Sequence, residues 1–103
     1  MIESTGAAES LRRRIRTIPD FPKPGIQFRD ITTLLLDAEG LRLAVEQMVA
    51  SVEGPIDLVA GIEARGFVFA PAVALALGAG VLLIRKDGKL PGATIAEDYA
   101  LEY

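Results

Sequence analysis

Residues 66–84 carry no charge and are numerous enough, by length alone, for a helix to cross a bilayer. Pro71 falls early in that run and Gly78-Ala79-Gly80 interrupts it, leaving Val81-Leu82-Leu83-Ile84 as the aliphatic run of a fully buried strand. The pattern therefore predicts a helix over about 67–77 and a strand over 81–84 in place of a membrane span. A second, largely apolar segment over residues 56–60 precedes a glycine-rich turn and predicts another strand. Strand, helix and strand in that order make a right-handed βαβ unit with parallel strands the default, and the fold class α/β.

Ahead of this unit the pattern is more broken. Leu11, Ile15 and Ile18 share one face of an amphipathic helix predicted over residues 9–18, with Arg12, Arg13, Arg14 and Arg16 turned elsewhere. So few charges read as a solvated helix face before they read as a nucleic-acid patch. Pro22, Pro24 and Gly25 keep residues 20–30 from forming a regular element and leave a loop with two aromatics, Phe21 and Phe28. Asp37 is placed to cap a helix in which Leu41, Val45, Met48, Val49 and Val52 recur at helical spacing, Met48 as core filler, ended by Gly54-Pro55. With no repeat, low-complexity linker or domain boundary, residues 1–103 are expected to be one domain or part of one.

Composition narrows the chemistry. Half of the residues are hydrophobic and 24% are charged, a globular balance, and a net charge of −3 argues against general affinity for nucleic acid. The chain has neither cysteine nor histidine, which removes disulfides, thiolate metal sites and the commonest general base. Any metal is then held by oxygens, which favours Mg²⁺ arriving with a phosphorylated substrate. Met1-Ile2-Glu3-Ser4 does not begin a basic and then apolar leader, so a cytoplasmic protein is expected, with no membrane partner.

Two clusters suit anions: Gly61-Ile62-Glu63-Ala64-Arg65-Gly66 follows the first predicted strand, and Arg85-Lys86-Asp87-Gly88-Lys89 follows the second. If the strands are parallel neighbours, both clusters open on the sheet edge where open α/β folds bind ligands. Arg and Lys there donate charge-assisted hydrogen bonds to phosphate, and glycine lets a backbone approach closely. A plainer reading stands beside this one. Asp87-Gly88 is a favoured hairpin turn, so Arg85, Lys86 and Lys89 equally fit solvated charges flanking it, and Arg65 fits a surface charge in a βα turn. The glycines match neither a P-loop nor a dinucleotide fingerprint.

In combination, these pieces resemble one family. Residues 20–32, Asp-Phe-Pro-Lys-Pro-Gly-Ile-Gln-Phe-Arg-Asp-Ile-Thr, are similar to the adenine-recognition segment of adenine phosphoribosyltransferases. Gly61-Ile62-Glu63-Ala64-Arg65-Gly66-Phe67 and Ile84-Arg85-Lys86-Asp87-Gly88-Lys89-Leu90-Pro91-Gly92 look like its two diphosphate-contacting loops, and Tyr99-Ala100-Leu101-Glu102-Tyr103 like the root of its mobile loop. One small departure is Thr33, where the family often carries proline.

The resemblance implies a partial type I phosphoribosyltransferase fold: N-terminal helices, a βαβ unit of a parallel sheet and the start of a mobile arm. It implies the conversion of adenine and phosphoribosyl diphosphate to AMP and diphosphate, with Mg²⁺ carried by the sugar substrate, in a homodimer. Carried over, Phe28 stacks on adenine while backbone groups around Ile26, Gln27 and Arg29 read its edge. Ala64, Arg65 and Gly66 hold the diphosphate from one side and Arg85, Lys86 and Lys89 from the other. Arg65 and Glu102 are the catalytic candidates, Glu102 for the proton adenine loses, and Tyr103 closes the site. The family's acidic pair and Gly/Thr-rich loop for the ribose 5-phosphate have no counterpart in these residues. The alternative is therefore a non-catalytic adenine- or nucleotide-binding module, or a half-domain that needs a complementing chain.

Overall fold

The computed structural model describes residues 4–95, which are α/β and fall into two compact units, residues 4–52 and 53–95. In the first unit, helix α1 (Ser4–Arg14) is followed by strands β1 (Arg16–Pro19) and β2 (Gln27–Asp30), a helical turn α2 (Thr32–Leu35) and helix α3 (Ala38–Ala50). The predicted helix over 9–18 thus ends at Arg14, and Ile18 belongs to a strand instead. Residues 27–30, expected to be irregular, are the antiparallel partner of β1, with Ile18 opposite Phe28 and Pro19 opposite Gln27. Pro22 and Pro24 lie in the connection between these strands, where they break no ladder, and Pro19 is the last residue of β1.

Leu34 and Ala44 form the buried centre of this unit. Arg14, near the end of α1, donates to the carboxylate of Asp37 and to the Ser10 carbonyl oxygen. Its stem crosses Gly40, where a Cβ would lie 2.6 Å from the Arg14 Cδ, so the glycine lets the Arg14 stem lie close against α3. Asp37 precedes α3 as expected but makes no side-chain capping bond, its carboxylate being taken by Arg14. Met48 is 39% exposed, so it is a surface residue of α3 and not core filler. Thr33, the departure from the family pattern, donates its hydroxyl to the Arg14 carbonyl oxygen at 2.5 Å and ties α2 to the end of α1.

The second unit is the expected βαβ motif: β3 (Leu58–Ile62), α4 (Gly66–Leu77) and β4 (Gly80–Ile84). β3 starts two residues later than its apolar run, and it pairs in parallel with β4 from Leu58 opposite Gly80 to Ile62 opposite Ile84. α4 is apolar on all sides; Ala70, Val73 and Ala74 are its buried residues, and contacts with both strands cover them. Gly78 closes the helix in the left-handed conformation that glycine adopts without steric cost, and the Gly80 amide then meets the Asp57 carbonyl to begin the sheet. Among the described residues no helix is long and apolar enough to cross a membrane.

Burial departs from expectation at β4. The run Val81-Leu82-Leu83-Ile84 reads as a strand covered on both faces, yet every β4 residue is exposed, Leu82 at 51%. Parallel strands ordinarily have both faces covered. Among the described residues β4 has β3 as its only strand neighbour.

Candidate functional site

The C-terminal ends of β3 and β4 bring the two basic clusters together. The parallel ladder continues one step past Ile62, with the Glu63 amide donating to the Ile84 carbonyl at 3.0 Å. That bond sets the turn 63–65 beside the segment that begins at Arg85. The chain then enters α4, the Phe67 amide bonding the Ala64 carbonyl and the Val68 amide bonding that of Arg65.

Two glycines fix how tightly this turn is wound. A Cβ on Gly61 would lie 2.7 Å from the Gly66 carbonyl oxygen and 2.8 Å from the Ala70 Cβ, and one on Gly66 would lie 3.0 Å from the Gly61 carbonyl carbon. The two residues pack backbone against backbone, and α4 lies against β3 at a distance that a side chain on Gly61 would not permit. Gly88, at φ +80°, serves the other loop: it allows the tight turn in which the Lys89 amide bonds the Lys86 carbonyl at 3.1 Å. The Asp87-Gly88 turn is therefore present, but among the described residues no strand follows to make a hairpin of it.

Glu63 joins the loops, and its role was not anticipated from its place inside the first basic cluster. One carboxylate oxygen accepts the Lys86 amide, and the other stands 3.7 Å from the Arg85 guanidinium. Arg85 also lies over the Phe67 ring, 5.6 Å from its centroid, and reaches the Lys89 carbonyl oxygen at 3.5 Å. The signal available in the sequence was a lone carboxylate set among cations, which needs a partner to stay there. Arg65, Lys86 and Lys89 are exposed, and Ala64 and Gly66 lie at the start of α4 beside Arg65. Four cations against two carboxylates, Glu63 and Asp87, leave these loops net positive. Such a surface attracts an anion and offers it both guanidinium forks and ammonium groups.

The other predicted residues occupy the β1–β2 hairpin of the first unit. Ile26 closes the connecting loop through its own backbone, its amide bonding the Lys23 carbonyl and its carbonyl accepting the Phe21 amide. The Asp20 carboxylate adds a bond from the Gly25 amide at 2.9 Å, so the proline-bearing loop is held internally. Phe28 is half-buried and meets Phe21 edge to face, ring centroids 5.2 Å apart. Gln27 and Arg29 are exposed, and Arg29 donates to the Thr17 hydroxyl across the strands. Glu102 and Tyr103 lie outside the described residues.

Asp30 ends this hairpin as a structural carboxylate, the plainer of the roles open to a turn residue. It is 5% exposed; its Oδ1 accepts the Thr32 amide and hydroxyl at 2.9 and 2.8 Å, and its Oδ2 accepts the Arg16 guanidinium. The Thr32 amide foremost, then Arg16 and the Thr32 hydroxyl, hold this carboxyl at about 2 from its ordinary 3.8. A carboxyl whose pKa is lower folded than unfolded adds stability above the unfolded value, and that stability drains as pH falls through the folded one. The urea midpoint should therefore drop as pH goes from 3.8 to about 2. The Asp30→Asn variant should be less stable at neutral pH and flatter across that window; an equal pH slope in both proteins would exclude this source.

Among the described residues no group of three or more acidic, His or Cys side chains is placed to hold a metal ion. No protein-family model matches the chain. It is 53% identical over 102 residues to an adenine phosphoribosyltransferase of Clavibacter sepedonicus, the match covering 99% of this chain and 53% of the relative. The crystal structure of adenine phosphoribosyltransferase from Rhodothermus marinus matches with TM-score 0.86 and 50% identity, over 95% of this chain and 56% of that one. The Saccharomyces cerevisiae enzyme, crystallised with an iminoaltritol bisphosphate and adenine, matches with TM-score 0.74 and 34% identity, over 86% of this chain and 56% of its own. The chain spans about half the length of the relatives it matches. On the shared α/β architecture and more than half of its residues in common, the chain belongs to the adenine phosphoribosyltransferase family.

Proposed function

We propose that this chain supplies the base and diphosphate sites of an adenine phosphoribosyltransferase, acting in purine salvage. Residues 1–103 are then part of one phosphoribosyltransferase domain, completed by a segment that carries the ribose 5-phosphate loop. N9 of adenine bonds to C1 of the ribose, the bond from C1 to the diphosphate oxygen breaks, and the diphosphate leaves with the electron pair while N9 gives up its proton. Cationic character builds on the ribose and negative charge on the leaving group, so fixed cations lower the barrier. The joined loops at the ends of β3 and β4 carry this reading: Arg65 with the backbone of Ala64 and Gly66 on one side of the diphosphate, Arg85, Lys86 and Lys89 on the other. Mg²⁺ enters with phosphoribosyl diphosphate as part of that substrate, which accords with a net positive protein surface rather than a cage of carboxylates.

Phe28 stacks on adenine, and the backbone around Ile26, Gln27 and Arg29 meets its polar edge. That a base site belongs to this family is supported by the S. cerevisiae relative, which was crystallised with adenine. Glu102 takes the N9 proton and Tyr103 covers the closed site. The protein works as a homodimer in the cytoplasm, without nucleic-acid or membrane partners.

The test is formation of AMP from adenine, phosphoribosyl diphosphate and Mg²⁺, by the chain alone and with a separately made C-terminal half from a relative. AMP is expected only when both halves are present. Turnover by the chain alone would show that 103 residues suffice, and none with both halves would favour a binding module.

A further inference from the structure

We propose that Glu63 is the positioning residue of the anion site, locking the loop at 85–89 onto the turn at 63–65. The proposal rests on the diphosphate reading above and adds a residue to it. By charge alone Glu63 is misplaced: a carboxylate among four cations repels the anion those cations would bind. Its geometry shows what it offers in return. The side chain is only 19% exposed and is turned to the neighbouring loop. The Glu63 main chain holds Ile84, one carboxylate oxygen takes the Lys86 amide, and the other faces the Arg85 guanidinium.

Glu63 therefore grips three consecutive residues at the point where β4 becomes the loop. At 3.7 Å its contact with Arg85 is an ion pair too long for a hydrogen bond, so Arg85 keeps donors to offer an anion while its plane is held over Phe67. A carboxylate that worked by charge would weaken anion binding, whereas one that works by position strengthens it. The two have opposite signs under substitution.

Diphosphate binding by calorimetry, with amide hydrogen exchange at Lys86, separates them. Glu63→Gln keeps an acceptor for the Lys86 amide and loses only charge; it should bind diphosphate at least as tightly as the parent chain, with Lys86 exchange unchanged. Glu63→Ala loses the acceptor as well; Lys86 should exchange faster, and affinity should fall by about two- to tenfold, the net effect of losing one hydrogen bond at an exposed amide. Circular dichroism checks that each variant is folded. Binding by Glu63→Ala as tight as the parent's, or tighter, would overturn the proposal, because removal of charge would then outweigh the loss of position. Equal Lys86 exchange in the parent and Glu63→Ala would overturn it too. If the parent binds no diphosphate, the functional reading fails, and Lys86 exchange alone decides whether Glu63 locks the loop.

Discussion

Replacing Gly61 by alanine is expected to destabilise the chain by about 1–3 kcal/mol, the range for forcing a methyl group into a filled site. The added Cβ meets the Gly66 carbonyl oxygen at 2.7 Å, and that oxygen belongs to backbone at the start of α4, which cannot swing aside as a flexible side chain would. Relief requires α4 to move away from β3, which carries Arg65 and the turn at 63–65 away from the loop at 85–89. Diphosphate affinity should fall along with the urea midpoint. Gly66→Ala is the internal control: its Cβ comes no closer than 3.0 Å, and alanine gains roughly 0.5–1 kcal/mol of helix propensity over glycine. It should cost clearly less than Gly61→Ala, and equal midpoints for the two variants would refute the backbone-against-backbone account.

Those glycines also show how far residue pattern reaches. Gly61 and Gly66 read from the sequence as openings for a ligand, and in the fold they serve each other. A glycine reports that something comes close without saying whether it is phosphate or the chain's own helix. The βαβ unit was legible because its signals are local: an apolar run, a proline and glycine punctuation, then a second apolar run. β1 and β2 were not legible, because each has four residues and their pairing is set by a loop held through Asp20, Phe21 and Ile26 rather than by a two-residue turn signal. Asp30 and Glu63 share a different obscurity. Each is a carboxylate whose cationic partner is 14 or 22 positions away, respectively Arg16 and Arg85. Only the topology, an antiparallel pair in one case and a parallel crossover in the other, brings them together.

The same crossover makes Arg85 the cation whose loss should matter most. In the chain supplied with the rest of a phosphoribosyltransferase domain, Arg65→Ala and Arg85→Ala should each lower AMP formation by about 10²–10³-fold. This is the effect of removing one well-placed group that stabilises developing negative charge, about 2.7–4 kcal/mol. The two should not be equal. Arg85 neutralises Glu63 as well as facing the anion, so Arg85→Ala leaves a carboxylate of 19% exposure between the two anion-binding loops without its counter-ion. Stranding one partner of an ion pair costs more than the pair is worth. Adding Glu63→Gln to Arg85→Ala should therefore recover part of the lost rate. Arg85→Lys should restore charge without the planar fork that lies over Phe67, and should fall between Arg85→Ala and the parent. Rates for both alanine variants within about threefold of the parent would remove these loops from the chemistry. A double variant no faster than Arg85→Ala would show that Glu63 does not oppose the diphosphate once its partner is gone.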